Sequence, residues 1–118
     1  MHLVNLCPHE IDLILDDGAE VLLPPCAKPA RAAMERTLDR VVRLELESGP
    51  IDVPLSTVEM GDVSELPPPA DDTWYVVSLV VAYAYPERSD LLVPDDLVRD
   101  EAGRVVACQA LSLLRHRR

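Results

Sequence analysis

The stretch T-W-Y-V-V-S-L-V-V-A-Y-A-Y-P-E-R-S-D-L-L-V-P-D-D-L-V-R-D, Thr73–Asp100, decides the fold. It holds the only Trp, all three Tyr and the longest apolar run. The core must therefore include Trp74–Tyr85. Tyr75-Val76-Val77 behind a polar turn has the composition of a buried strand. Beyond it, Leu79–Ala84 suits either a longer strand or a short helix. The helix is favoured, because Ser78 is a preferred N-cap residue whose hydroxyl accepts from an otherwise orphaned amide. Pro86 would then stop it. Asp90–Val93 reads as a strand ended by Pro94. Leu97–Asp100 and Arg104–Cys108 read as a hairpin around Glu101-Ala102-Gly103.

Working outward, Val4 and Leu6, then Ile11, Leu13 and Leu15, alternate with polar residues and are interrupted at Cys7-Pro8-His9. This predicts a strand, a break and a second strand. Asp16-Asp17-Gly18 predicts a tight hairpin turn, with Ala19–Leu23 returning. Lys28–Arg43 contains good helix formers and a Pro suited to a first helical turn, yet the proline spacing equally suits an extended Cys26–Arg31. Arg40–Glu47 alternates as a strand, Ser48-Gly49-Pro50 turns, and Ile51–Leu55 returns, with a further short strand over Thr57–Val63. Leu66–Asp72 is a polyproline-like connector. The expected fold is α+β: one domain over residues 1–118 with a mixed, mainly antiparallel sheet. It carries one helix after Ser78, a second within Ala30–Asp39, and a frayed basic tail at 115–118.

Composition narrows the function classes. Nearly half of the 118 residues are hydrophobic, so a core is affordable without any Phe. The formal net charge of −10 opposes general nucleic-acid binding, which rests on neutralising phosphates. The bases are concentrated, however, at Lys28, Arg31, Arg36, Arg40 and Arg43 and again at the C-terminus. Three cysteines, Cys7, Cys26 and Cys108, form no C-x-x-C pair, and no apolar run reaches the ~20 residues that span a bilayer. A soluble, cytoplasmic protein with buried thiols is expected, with no membrane partner. Its small size favours homo-oligomerisation, because a small domain gains burial by pairing.

Several motifs resemble a family of small phage-borne and actinobacterial proteins of uncharacterised activity. They are N-L-x-P-H-E (Asn5, Leu6, Pro8–Glu10), L-P-x-P (Leu66–Pro69), W-Y-V-V-S (Trp74–Ser78), R-x-D-L-x-V-P (Arg88–Pro94) and V-R-D-x-x-G-R-V (Val98–Val105). The resemblance covers most of the chain and is weakest between Cys26 and Ser56. Relatives often carry Thr in place of Cys7 and sometimes Arg in place of Leu79, a cation this chain lacks. The resemblance implies accessory or phage–host conflict roles and carries no activity.

Site candidates are few. His9, beside the strand break and next to Asn5 and Glu10, is the group that titrates near neutrality. Ser78 at a helix start suits an anion. Arg88 is spaced to fork onto a phosphate or carboxylate, with Asp90 on the same strand face to hold it or to accept from a ribose. Arg31 adds a cation. The structural alternatives are a plain helix cap at Ser78 and an ordinary ion pair at Arg88–Asp90. His2, His9 and His116 are too scattered for a metal site, and neither a phosphate-binding glycine loop nor a serine-nucleophile elbow is present. No cofactor is expected and an enzyme is the lesser reading. The leading expectation is a non-enzymatic protein that captures a phosphorylated or nucleotide-like small molecule, in the manner of a counter-defence sponge. The alternatives are an acidic inhibitor or DNA mimic presenting Asp71, Asp72, Asp90, Asp95, Asp96, Asp100 and Glu101 to a basic protein partner, and a small nucleotide-processing enzyme.

Overall fold

The D-G turn forms as its chemistry requires. Gly18 takes φ +86°, and Asp17 accepts the Ala19 amide at 2.9 Å. The computed structural model describes residues Met1–Arg115. In chain order its elements are β1 (His2–Asn5), β2 (Ile11–Ile14), β3 (Glu20–Leu23), β4 (Arg31–Leu46), β5 (Gly49–Ser64), β6 (Thr73–Val76), α1 (Leu79–Ala84), β7 (Leu91–Arg99) and β8 (Val105–Leu113). Residues 1–32 and the chain from Val63 onward form one compact unit, and residues 33–62 form another.

The first unit is a six-stranded sheet in the order β1-β6-β7-β8-β2-β3. Pairings β1–β6, β6–β7 and β2–β8 are parallel, whereas β7–β8 and β2–β3 are antiparallel. Strand β6 lies inside this sheet, and successive side chains point to opposite faces. Tyr75 and Val77 pack with Leu91, Val93 and the helix residues Val81 and Ala82. Val76 packs on the other side with Cys7, Ile11 and Cys108. Burial on both faces is why Tyr75-Val76-Val77 is a continuous apolar run rather than an alternating one.

The sheet is nearly closed, and Asn5 joins its edges. Asn5 ends β1 and is 7% exposed. Its Nδ2 lies 3.1 Å from the Leu23 carbonyl at the end of β3, 3.2 Å from that of Pro24 and 3.1 Å from that of His9. Two N–H protons serve three acceptors, so one bond is shared. Its Oδ1 accepts the Cys7 amide at 2.8 Å and fixes the Cys7-Pro8-His9 break.

Residues 33–62 are the body of a long β-ribbon made by β4 and β5 around a Glu47-Ser48 turn. Arg43 bonds Asp52, the Thr57 hydroxyl bonds the Thr37 carbonyl, and Ala33 lies against Gly61. Partners that diverge from the turn in this way define an antiparallel hairpin.

Three expectations are corrected. The fold is mainly β rather than α+β, since the described residues hold one helix of six residues against eight strands. The helix expected within Ala30–Asp39 is the first half of β4. Met34 and Leu38 share a face on a helix, by i,i+4 spacing, and also on a strand, by even spacing. Pairing with β5 decides between the two. The sheet is mixed, as expected: three of its five pairings are parallel, but the antiparallel β7–β8 and β2–β3 ladders hold most of the aligned partners. Pro94 also fails to end its strand. The β6–β7 partners stop at Val76 and Leu92, so a proline beyond them interrupts no ladder on that side. Ser78 does start a helix, as its capping chemistry favours. The 115–118 tail lies, beyond Arg115, outside the described residues.

Asn5→Ala should lower stability by about 2 kcal/mol or more, because buried carbonyls and an amide lose their partners together. Asn5→Asp should cost more at neutral pH, since an acceptor-only carboxylate would face three carbonyls. Urea unfolding followed by Trp74 fluorescence measures both.

Candidate functional site

Among the six residues singled out in the sequence, Arg88 and Asp90 come together most closely. Arg88 Nε donates to Asp90 Oδ1 at 2.8 Å and Nη2 to Oδ2 at 2.9 Å. Nη2 also reaches the Pro67 carbonyl at 3.2 Å. The two side chains are only 13% and 15% exposed. The bidentate bond from Arg88 holds the Asp90 carboxyl below its ordinary value against the opposing effect of burial. The same bond raises the Arg88 guanidinium. The fork is thus occupied from within, and its work is to tie the proline connector to the start of β7.

The other four are separate from that pair. Asn5 is used up in the sheet seam described above. His9 is exposed, with Nδ1 3.2 Å from the Glu10 carbonyl. The Ser78 hydroxyl accepts the Val81 amide at 3.4 Å, and α1 behind it is under two turns long. Arg31 is exposed at the start of β4, without a side-chain hydrogen bond or ion pair among the described residues.

His9, Asp12, Leu97, Val106 and Cys108 line a hollow of about 100 Å³. Asp12 Oδ1 is buried there without a hydrogen-bond partner. No Lys or Arg lines the hollow, so its charge does not favour a phosphate. A second, apolar hollow of about 340 Å³ is lined by Met1, His2, Leu3, Trp74 and Leu92. No three His, Cys, Asp or Glu side chains among the described residues are placed to hold a metal ion. The three cysteines are free thiols. Burial pushes the Cys7 thiol up to about 11 and raises that of Cys108. Cys26 is only half-buried.

Several of the carboxylates expected to form a phosphate-like row are engaged locally. Asp72 pairs with the Met1 ammonium at 2.8 Å, and Asp95 accepts the Ser112 hydroxyl at 2.6 Å, which lowers its titration. Asp100 accepts the Ala102 and Arg104 amides in the last turn.

The remaining candidate is the ribbon, which sequence reasoning described in pieces and did not single out. Near the turn, even-numbered Val42, Leu44 and Leu46 of β4 share one face. The Arg43–Asp52 contact places odd-numbered Ile51, Val53 and Leu55 on that face. The Ala33–Gly61 contact lies ten residues from Arg43 along β4 but nine from Asp52 along β5, so β4 carries one extra residue between the two contacts. At the far end Met34, Leu38, Val58 and Met60 therefore stand on the other face. The apolar side chains stand open to solvent, Leu38 at 61%, Met34 at 59% and Val58 at 53%. Val41, on the face of Arg43 and Asp52 near the turn, is 62% exposed, so both faces of the ribbon carry open apolar side chains among charged ones. The legible signal was Val42-Leu44-Leu46 against Ile51-Val53-Leu55; the extra residue in β4 hid the rest.

Comparison with family models, curated proteins and solved structures returns no match. No helix among the described residues is long and apolar enough to cross a membrane.

Asp90→Asn tests the clamp. A carboxyl with a depressed folded pKa stabilises above its unfolded value, and that stability is lost as pH falls through the folded one. The variant should be about 2 kcal/mol less stable at pH 7, with the gap to wild type closing below about pH 4 in urea titrations. For the thiols, iodoacetamide at pH 8 should label Cys26 first, with Cys7 and Cys108 labelled only after unfolding, read by peptide mass.

Proposed function

We propose that this protein is a non-enzymatic binding module that works through protein–protein contact on the exposed apolar side chains of its β-ribbon. The single observation behind this reading is that nine large apolar side chains of residues 33–62, Met34, Leu38 and Val41 among them, stand exposed to solvent. An isolated two-stranded ribbon is marginal in water, and many apolar side chains left open on it invite association. The rest of the chain has a core of its own and does not need these side chains for it. Most of the energetic gain still available to it lies in covering the ribbon.

Other features support binding rather than chemistry. The strongest cation–carboxylate constellation, Arg88–Asp90 with Pro67, is spent on holding a loop. Capture of a phosphorylated small molecule through Arg88 would first require breaking that bidentate pair, which places this reading second. A reducing, cytoplasmic compartment suits three free thiols that make no disulfide.

Amide exchange tests the reading. In dilute, monomeric protein, residues 33–62 should exchange fast while β6 and β7 stay protected. Full protection of the ribbon in a monomer would show that it needs no cover and would overturn the reading.

A further inference from the structure

We infer that the hollow lined by Met1, His2, Leu3, Trp74 and Leu92 is the mouth of the nearly closed sheet and binds a small, uncharged apolar molecule. The site lies in the compact unit and goes beyond the docking reading, which concerns the ribbon alone.

Strand register places it. A flat sheet in this order would hold β1 and β3 about 24 Å apart, five strand spacings. Yet Asn5 of β1 reaches the Leu23 carbonyl beyond it at 3.1 Å, so the sheet curls. Val76, the register partner of Asn5, packs with Cys7, Ile11 and Cys108, and Leu13, Leu23, Leu92 and Leu111 surround them. Side chains from five strands meet there because that face is the concave one. Leu3 and its partner Trp74 stand two residues before Asn5 and Val76, on the same face. Leu92 belongs both to the surround of that core and to the wall of the hollow, so the hollow opens where the core ends. Mouths of curled sheets are frequent small-molecule sites.

Size sets the guest. An apolar cavity of about 150 Å³ takes up benzene. This hollow of about 340 Å³ has room for two rings or an alkyl chain of similar bulk. Its five lining residues are far fewer than the ~20–30 a side of a protein interface, so a small molecule fits it and a folded partner does not. Charge sets the chemistry. Among the described residues no Lys, Arg, Asp or Glu lines the hollow, and the Met1 ammonium is already engaged by Asp72 at 2.8 Å. An ion would lose its hydration there without gaining a counter-charge. An uncharged guest instead covers apolar surface that water now touches, since Leu3 is 39% exposed and Trp74 only half-buried. A ring would also stack against, or meet edge-on, the Trp74 indole.

N-phenyl-1-naphthylamine, an uncharged dye that brightens on leaving water, tests the inference on the full chain. One dye per chain should bind, with quenching of Trp74, the only Trp. 1-Octanol should displace it, and octanoate should do so at least tenfold less well. Leu3→Asp should weaken binding at least tenfold, with urea unfolding used to check that the fold survives. Leu3→Trp, which fills the hollow without adding charge, should weaken it as well. Leu38→Asp, in the ribbon, should bind as wild type does. No dye binding, unchanged binding in both Leu3 variants, or octanoate matching octanol overturns the inference. Loss of the dye in Leu38→Asp alone also overturns it, and leaves the docking reading of the ribbon standing.

Discussion

The side chain of Asn5 is the interaction on which the compact unit depends. A six-stranded sheet whose first strand in sequence lies at one edge and whose third lies at the other leaves two rows of backbone groups to be satisfied. Asn carries both a donor pair and an acceptor on one short stem, so it can bond the carbonyls of Leu23 and Pro24 and receive the Cys7 amide at once. No apolar residue does this, and Asp lacks the donors. The cost of burying a polar group is offset because each of its polar atoms is used. The same side chain fixes the break after β1, which sends the chain across the sheet to β2.

Charge is handled locally elsewhere in the unit. An acidic chain of this size stores self-repulsion. Yet the carboxylates at Asp72, Asp90, Asp95 and Asp100 each serve a nearby ammonium, guanidinium, hydroxyl or amide. Arg88–Asp90 is the strongest case, because its bidentate geometry and partial burial raise its worth above that of an exposed pair. These contacts order turns and loops. They leave little free charge in a fixed constellation for a small ligand to use, which is why weight shifts to the apolar ribbon.

The ribbon obeys a different economy. Within the compact unit, apolar side chains fill both faces of one sheet. In residues 33–62 they stand exposed on a two-stranded ribbon, Leu38 at 61% and Val41 at 62%. So much open apolar surface on two strands is the physical content of the docking proposal.

Local chemistry was legible in the sequence wherever a short-range rule decides the outcome. The Asp16–Gly18 turn, the Glu101–Gly103 turn, the Ser78 cap and the buried Tyr75-Val76-Val77 strand follow from φ preference, capping and burial, and all four are present. Arg88–Asp90 was legible as a pair, but not the Pro67 carbonyl that completes it, because that contact spans the connector. Met34 and Leu38 fit a helix and a strand equally, so only the partner β5 could fix β4, and the extra residue in β4 is invisible to any single-strand periodicity. Pro94 read as a stop because sequence does not show where a neighbouring strand ends. The sequence by itself thus determined turns, the cap and the buried strand. Tertiary structure alone decided strand order, the Asn5 seam and the extension of β4 and β5 into a long ribbon, since each depends on which distant backbone groups come into register.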